Sequence, residues 1–197
     1  MSGISKPVQK LIVIIFICLF TVSCVTETVE SPFVKFDEVA VVSVGDPAAL
    51  VAVGSTFAWL PEAVSFYEDK RLASAPIKSL IETEIVKNIE QKNMRLVTSL
   101  SASSFAIAYT AALESSLDDT AIIRRFGLLP GIAKVPKDDV NVEKGSLIIY
   151  VYNNQSGDII WRSAAQVGVE FDMPMAQRKE RVARVVAEMF QTFPVKR

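Results

Sequence analysis

The run LIVIIFICLFTVSC, residues 11–24, limits what this chain can become more than any other stretch. It follows a short basic start in which Lys6, Lys10 and the amino terminus carry the charge, and only Cys18 and Thr21 weakly interrupt its apolar part. A membrane-spanning helix needs about 20 apolar residues. A shorter run behind a basic start reads as a signal peptide, which takes no part in the mature fold.

Two cleavage modes fit. Ordinary secretory cleavage needs small residues at −1 and −3, whereas lipoprotein cleavage needs a small residue followed by cysteine, and Ser23–Cys24 supplies that pair. Val22, Ser23 and Cys24 resemble the bacterial lipobox, with Thr21 where leucine is usual, and Ile17 disqualifies Cys18. The expectation is therefore cleavage before Cys24 and lipidation of that residue, palmitate being one such chain. Plain secretion and an uncleaved anchor are the alternatives. Buried methylenes contribute about 0.8 kcal/mol each, so one acyl chain holds marginally and two or more hold firmly. Val25 follows the cysteine instead of the aspartate that retains lipoproteins at the inner membrane, which favours the outer membrane and a periplasm-facing domain. The organisation expected is a signal peptide over 1–23, a lipidated N-terminus and short tether over 24–32, and one domain over 33–197. The tether VTETVESP reaches at most about 28 Å when extended.

Removing residues 1–23 takes Lys6 and Lys10 from the 21 basic residues and nothing from the 22 acidic ones, leaving a net charge of −3. That balance offers no broad footprint for nucleic acid. The two cysteines are Cys18 and Cys24, so the mature domain has no thiol of its own and no disulfide, and the chain contains no histidine. Ser-His-Asp and Cys-His nucleophile systems and the usual zinc sites are thereby excluded. Carboxylate, lysine, tyrosine and serine–lysine chemistry survive. The expectation is no enzyme, no cofactor and no metal.

Along the mature chain, Phe33–Val44 reads as a first strand, broken by Gly45–Asp46–Pro47. Ser55–Trp59 reads as a second, stopped by Pro61, and 62–75 as a loop whose Glu68–Arg71 charge cluster is solvated. From Pro76 a helix is expected, with Ile77, Leu80, Ile81, Ile85 and Ile89 on one stripe and Lys78, Glu82, Lys87 and Glu90 opposite, ending near Asn93. A short strand within 94–99 precedes Phe105–Leu113, a short apolar run suited to burial on both faces. A brief helix over 117–126 and a turn-rich excursion over 127–136 lead to strands at 140–152 and 158–171, joined as an antiparallel hairpin through Asn153–Gly157. A second amphipathic helix follows Pro174, with Val182, Val185, Val186, Met189, Phe190 and Phe193 opposite Arg181, Arg184 and Glu188. These elements make a two-layer α+β fold, a largely antiparallel sheet with two amphipathic helices on one face.

The segment GSLIIYVYNNQSGDIIWRSAA (145–165), with STFAWLP (55–61), SSFAIAYTAALES (103–115) and a closing helix ending at Phe193–Pro194, resembles the bacterial lipoprotein family known as domain of unknown function 4136. The resemblance spans 33–194. Asn153 stands where the family tends to carry aspartate, and Ser163 where glycine is common. The resemblance implies an envelope location and a mixed α/β fold, and it supplies no catalytic residue.

Trp161–Arg162 is the most conspicuous pair, readable as an aromatic and cationic ligand contact or as a core tryptophan that sets strand register. Asp138, Asp139, Asn141 and Glu143 alternate like the start of a calcium loop, yet Lys144 replaces its glycine and Tyr150 its final glutamate, so a solvated loop is expected. Glu114, Asp118 and Asp119 could pair for acid–base work. Arg178, Lys179, Arg181 and Arg184 make the closing helix basic, expected as its solvent face or as a contact for anionic headgroups. Asn154–Gln155–Ser156 fits a glycosylation sequon, which a bacterial lipoprotein would not use by the eukaryotic route. The reading that follows is a non-enzymatic cell-envelope lipoprotein that binds an envelope partner or supports an assembly. Its alternatives are a carboxylate-dependent enzyme on envelope lipid or glycan, and a carrier of a small apolar ligand between sheet and helices.

Overall fold

A computed structural model describes residues 38–52, 54–72, 76–128, 131, 135 and 139–195. The signal, Cys24 and the tether lie outside the described residues, as does Asp138. The described residues belong to one compact unit. No helix among them is long and apolar enough to cross a membrane.

The sheet grows from the two long strands β6 (Val142–Asn153) and β7 (Ile159–Glu170), paired antiparallel as the hairpin signal predicts. Their turn forms because the Asn153 carboxamide oxygen accepts the backbone N–H groups of Gln155 and Ser156, at 2.9 and 3.3 Å, while Gly157 takes a positive φ of 76°. Aspartate, the residue typical of the family at Asn153, makes the same local turn. β1 (Val39–Gly45) joins the outer edge of β7, and β5 (Phe105–Leu113) joins β6, both antiparallel. Every residue of β5 is buried, as its unbroken apolar composition predicts.

Beyond β5 the sheet turns parallel. β2 (Thr56–Trp59) pairs with the start of β5 and the two-residue β3 (Ser65–Phe66) with its end, so both occupy one edge in tandem. Pro61, which has no N–H to offer a ladder, opens the 3₁₀ turn between them. β4 (Arg95–Leu96) completes the seven strands alongside β2. The stretch between β1 and β2, to which the sequence pattern assigns no element, contains a helix, α1 (Pro47–Ala52), whose N-terminus is fixed by the Asp46 carboxylate accepting from Ala48 and Ala49 N–H groups.

Two long helices cover one face, α2 (Ile77–Glu90) and α4 (Met175–Met189), with the short α3 (Asp119–Phe126) between them in the chain. Side chains alternate through the sheet. Phe105, Ile107 and Tyr109 of β5, Ile149 and Val151 of β6 and Trp161 of β7 pack under α2 and α4 with Ile81, Ile85, Val186, Met189 and Phe190. Ala108, Ile148, Tyr150 and Ala164 face the other way and pack with Leu117, Ile122 and Leu128 in and around α3. The α+β fold with both long helices on one face is as the periodicity predicts. The second face is covered too, by a smaller cluster that the stripe counting did not anticipate.

Candidate functional site

The residues that sequence reasoning singled out do not converge. Trp161 and Arg162 are consecutive in β7 and therefore point to opposite faces. Trp161 is 2 % exposed, stacked on Phe190 with ring centroids 5.1 Å apart and set edge-on to Phe193 at 5.0 Å. Arg162 donates from Nη1 to the carbonyl of Phe126 at 3.0 Å. It thus serves the C-terminus of α3, where a cation and a donor are both favourable, beside the left-handed Gly127 that ends that helix. Ser163 fills the position where the family favours glycine by pairing its hydroxyl with that of Ser43 at 2.8 Å and with the Val42 carbonyl.

Of the three acidic candidates, Asp118 stands apart, while Asp119 and Glu114 meet at Lys144. Asp118 caps α3, accepting from the N–H of Ala121 at 2.7 Å. Asp119 accepts from Lys144 Nζ and from Gln166 Nε2, each at 2.6 Å, and Glu114 lies 3.1 Å from the same Lys144 nitrogen. Burial alone would raise the Asp119 pKa, but the hydrogen bonds from Lys144 and Gln166 outweigh it and hold the carboxyl below its ordinary value. Burial acts against the Lys144 ammonium, and its two carboxylates outweigh that and push its pKa up. Both groups are thus fixed in their charged forms, which suits an ion pair and not a proton donor or acceptor working near neutrality.

This pair makes acid stability predictable. Asp119 titrates lower in the folded than in the unfolded state, so its contribution is present above the unfolded value of about 4 and is lost as pH falls through the folded value. Asp119 is 38 % exposed, so solvent screening keeps the effect to about 0.5–1 kcal/mol. Asp119→Asn should lower the melting temperature at pH 7 and converge on the unaltered protein in acid. Melting curves at pH 7, 5 and 3 check this, and an unchanging gap contradicts it.

Asn141 and Glu143 do not face a common cation. Asp139 accepts from the Asn141 N–H in a local turn at 3.1 Å, and Glu143 is taken by the Ser115 N–H and by Arg71 Nη2 at 2.6 Å. Arg71 also pairs with Asp69 at 2.7 Å and lies 4.2 Å over the Phe171 ring. The charge cluster expected to be merely solvated therefore ties the 68–72 segment to β6 and to the end of β7. Asn154 turns its side-chain nitrogen inward, to the carbonyls of Leu100 and Ser103.

The closing helix carries the main correction. Arg178 and Arg181, expected on its solvent face, are 8 % and 9 % exposed and point toward the sheet. Arg178 Nη2 donates to the carbonyls of Glu170, Phe171 and Met173 at 3.2–3.3 Å, and Arg181 Nη1 donates to the Gly168 carbonyl at 2.7 Å. Long side chains can reach the end of β7 and the four residues that link it to α4, and those carbonyls need donors once buried. Lys179 and Arg184 are exposed as expected.

These two guanidinium groups stand at an apolar cleft that opens between the sheet and the helices α2 and α4, with a cavity volume of about 130 Å³ and a mouth open to solvent. Its floor includes Ala111 on β5 and Ala165 on β7, which flank Leu147 of β6 in one row, and Gly145, two residues along β6 between Leu113 and Val167. Ile81, Val182 and Val185 form the helical wall. A Cβ at Gly145 would stand 2.5 Å from Val169 Cγ2, so a side chain there requires Val169 to shift. That Ala111 and Ala165 flank the same β6 residue becomes legible only once register is known.

The class of protein defined by these features is an α+β domain with a seven-stranded mixed sheet and an apolar cleft under its two long helices. The chain belongs to the family described as domain of unknown function (DUF4136), whose model matches residues 41–195. Solved structures to which the chain is similar include the PelC dodecamer from Paraburkholderia phytofirmans, at 9 % identity, covering 81 % of this chain and 99 % of that one, with a TM-score of 0.45. A DUF4136 family protein from Bacteroides thetaiotaomicron VPI-5482 is 14 % identical over 77 % of this chain and 94 % of its own, with a TM-score of 0.44. A Caulobacter crescentus CB15 protein provisionally described as a lipoprotein is 12 % identical over 73 % of this chain and 85 % of its own, with a TM-score of 0.31. No curated protein matches the chain.

Proposed function

We propose that this protein is a non-catalytic lipoprotein of the bacterial cell envelope, anchored at the outer membrane through Cys24, which holds an apolar ligand between its sheet and its two long helices. The observation that carries the reading is the cleft itself. Protein interiors are close-packed, and a gap of this size under two helices forfeits contacts that larger residues at Ala111 or Ala165 would supply. Its walls are predominantly apolar, as those of ligand pockets are. The reading as a binding module rather than an enzyme is supported by the carboxylate candidates, which are committed to a helix cap and to Lys144.

The test uses the mature chain with Cys24→Ala, made soluble by that change, and the neutral apolar fluorophore N-phenyl-1-naphthylamine. Saturable fluorescence enhancement is expected, and Ala165→Leu and Ala111→Leu, which project into the cleft, should each weaken binding at least tenfold while near-UV circular dichroism remains native. Enhancement that is absent, or indifferent to both substitutions, overturns the reading.

A further inference from the structure

The two buried arginines give the cleft a polarity that the reading above does not use. Arg178 and Arg181 are three residues apart and so share one face of α4, and both line the cleft at one end. Val182, Val185 and Val186 continue the same helix wall as purely apolar surface. Glu170, the carboxylate at this end, lies 3.5 Å from Arg181 Nη1. Arg178 makes no ion pair with any described residue, and its Nε is buried without a hydrogen-bond partner. The charged group that influences it beyond Arg181 is Asp172, which is exposed. Burial, and then the neighbouring Arg181, act to lower the Arg178 pKa, the direction expected of a cation set in an apolar wall short of negative charge.

An arginine buried without a carboxylate is costly, and carbonyl dipoles offset only part of that cost. Arg178 donates to its three carbonyls through Nη2 alone, and it lines, with Arg181, a cleft whose other walls are predominantly apolar. We infer that the cleft takes a single-chain anionic amphiphile, its acyl tail between the sheet and the α2–α4 wall and its anionic head against Arg178 and Arg181. The inference rests on the cleft being a ligand site and adds the chemical class of the ligand. A carboxylate and a phosphate monoanion or diester both satisfy a guanidinium fork.

The experiment titrates the Cys24→Ala mature chain with palmitate, with 1-palmitoyl-lysophosphatidylglycerol and with neutral 1-monopalmitoylglycerol, each below its aggregation threshold, by isothermal calorimetry. At least one anion is expected to bind ten times or more tighter than the neutral ester, and the tighter of the two identifies the head as carboxylate or phosphate. Arg178→Met should bring the anions to the level of the neutral ester and leave the ester unchanged. Equal affinity for all three ligands, unmoved by Arg178→Met, overturns the cationic head and leaves Arg178 as a clamp on the β7–α4 link, with the apolar cleft intact. Failure of all three to bind overturns the cleft reading itself. If Arg178→Met does not fold, having lost three carbonyl contacts, the comparison of the three ligands on the Arg178 chain decides alone.

Discussion

Replacing Trp161 with alanine is expected to remove about 3–5 kcal/mol of stability, the range for deleting a large aromatic from a core. For a domain of this size that lowers the melting temperature by roughly 10 °C, at about 2–4 °C per kcal/mol. The reason is the position of the indole. It is buried against β1 and β6, stacked on Phe190 and edge-on to Phe193, which themselves meet at 5.3 Å. Aromatic pairs add about 0.5–1.5 kcal/mol beyond area burial, so three rings in mutual contact pin the end of α4 to the sheet. Arg162→Ala, one residue along, removes only a contact to the Phe126 carbonyl and should cost about 1–2 kcal/mol. Urea denaturation of both variants makes the comparison. A Trp161→Ala loss below about 1 kcal/mol would mean the ring is not core, and would return it to the role of a surface contact.

The second large effect concerns location. With a conventionally cleaved secretory leader and Cys24→Ala, the protein should move from almost wholly membrane-bound to almost wholly soluble. No helix among the described residues is long and apolar enough to cross a membrane. One acyl chain binds a membrane only marginally, with an association constant of about 10⁴ M⁻¹, and two or more make attachment stable. Removing the sulfur removes every chain attached to it, so the change is close to all-or-none. The melting temperature should stay the same, because the described core runs from Val39 to Phe193 and Cys24 lies outside it in the sequence. Sedimentation of membranes followed by immunoblotting reads the partition. A variant that remains with the membrane after its leader is gone would place the attachment in the folded domain.

Much of this fold was legible in residue order. The β6–β7 hairpin follows from two β-branched runs around Asn153–Gly157, and α2 and α4 from apolar residues at 3.6-residue spacing. α1 was missed because its composition, PAALVA, is as apolar as the strands around it, although Asp46–Pro47 is a helix-start signal. The tandem parallel pairing of β2 and β3 on β5 depends on contacts about 50 residues apart, which local propensity does not encode. The candidate site fared worse. Arg178 and Arg181 were assigned to solvent because arginine is rarely buried, and the carbonyls that draw them inward belong to the Gly168–Met173 stretch, whose position only the folded chain sets. Ala111 and Ala165 carry no signal singly and join the cleft floor on either side of Leu147 only when register sets the strands.

The most direct measurement is native mass spectrometry of the protein extracted from its own host's membranes in a mild detergent. The account predicts a mature chain beginning at Cys24 with covalent acyl mass, and an additional non-covalent adduct that Ala165→Leu abolishes while the acyl mass stays. A chain that carries no adduct, or an adduct that survives Ala165→Leu undiminished, contradicts it.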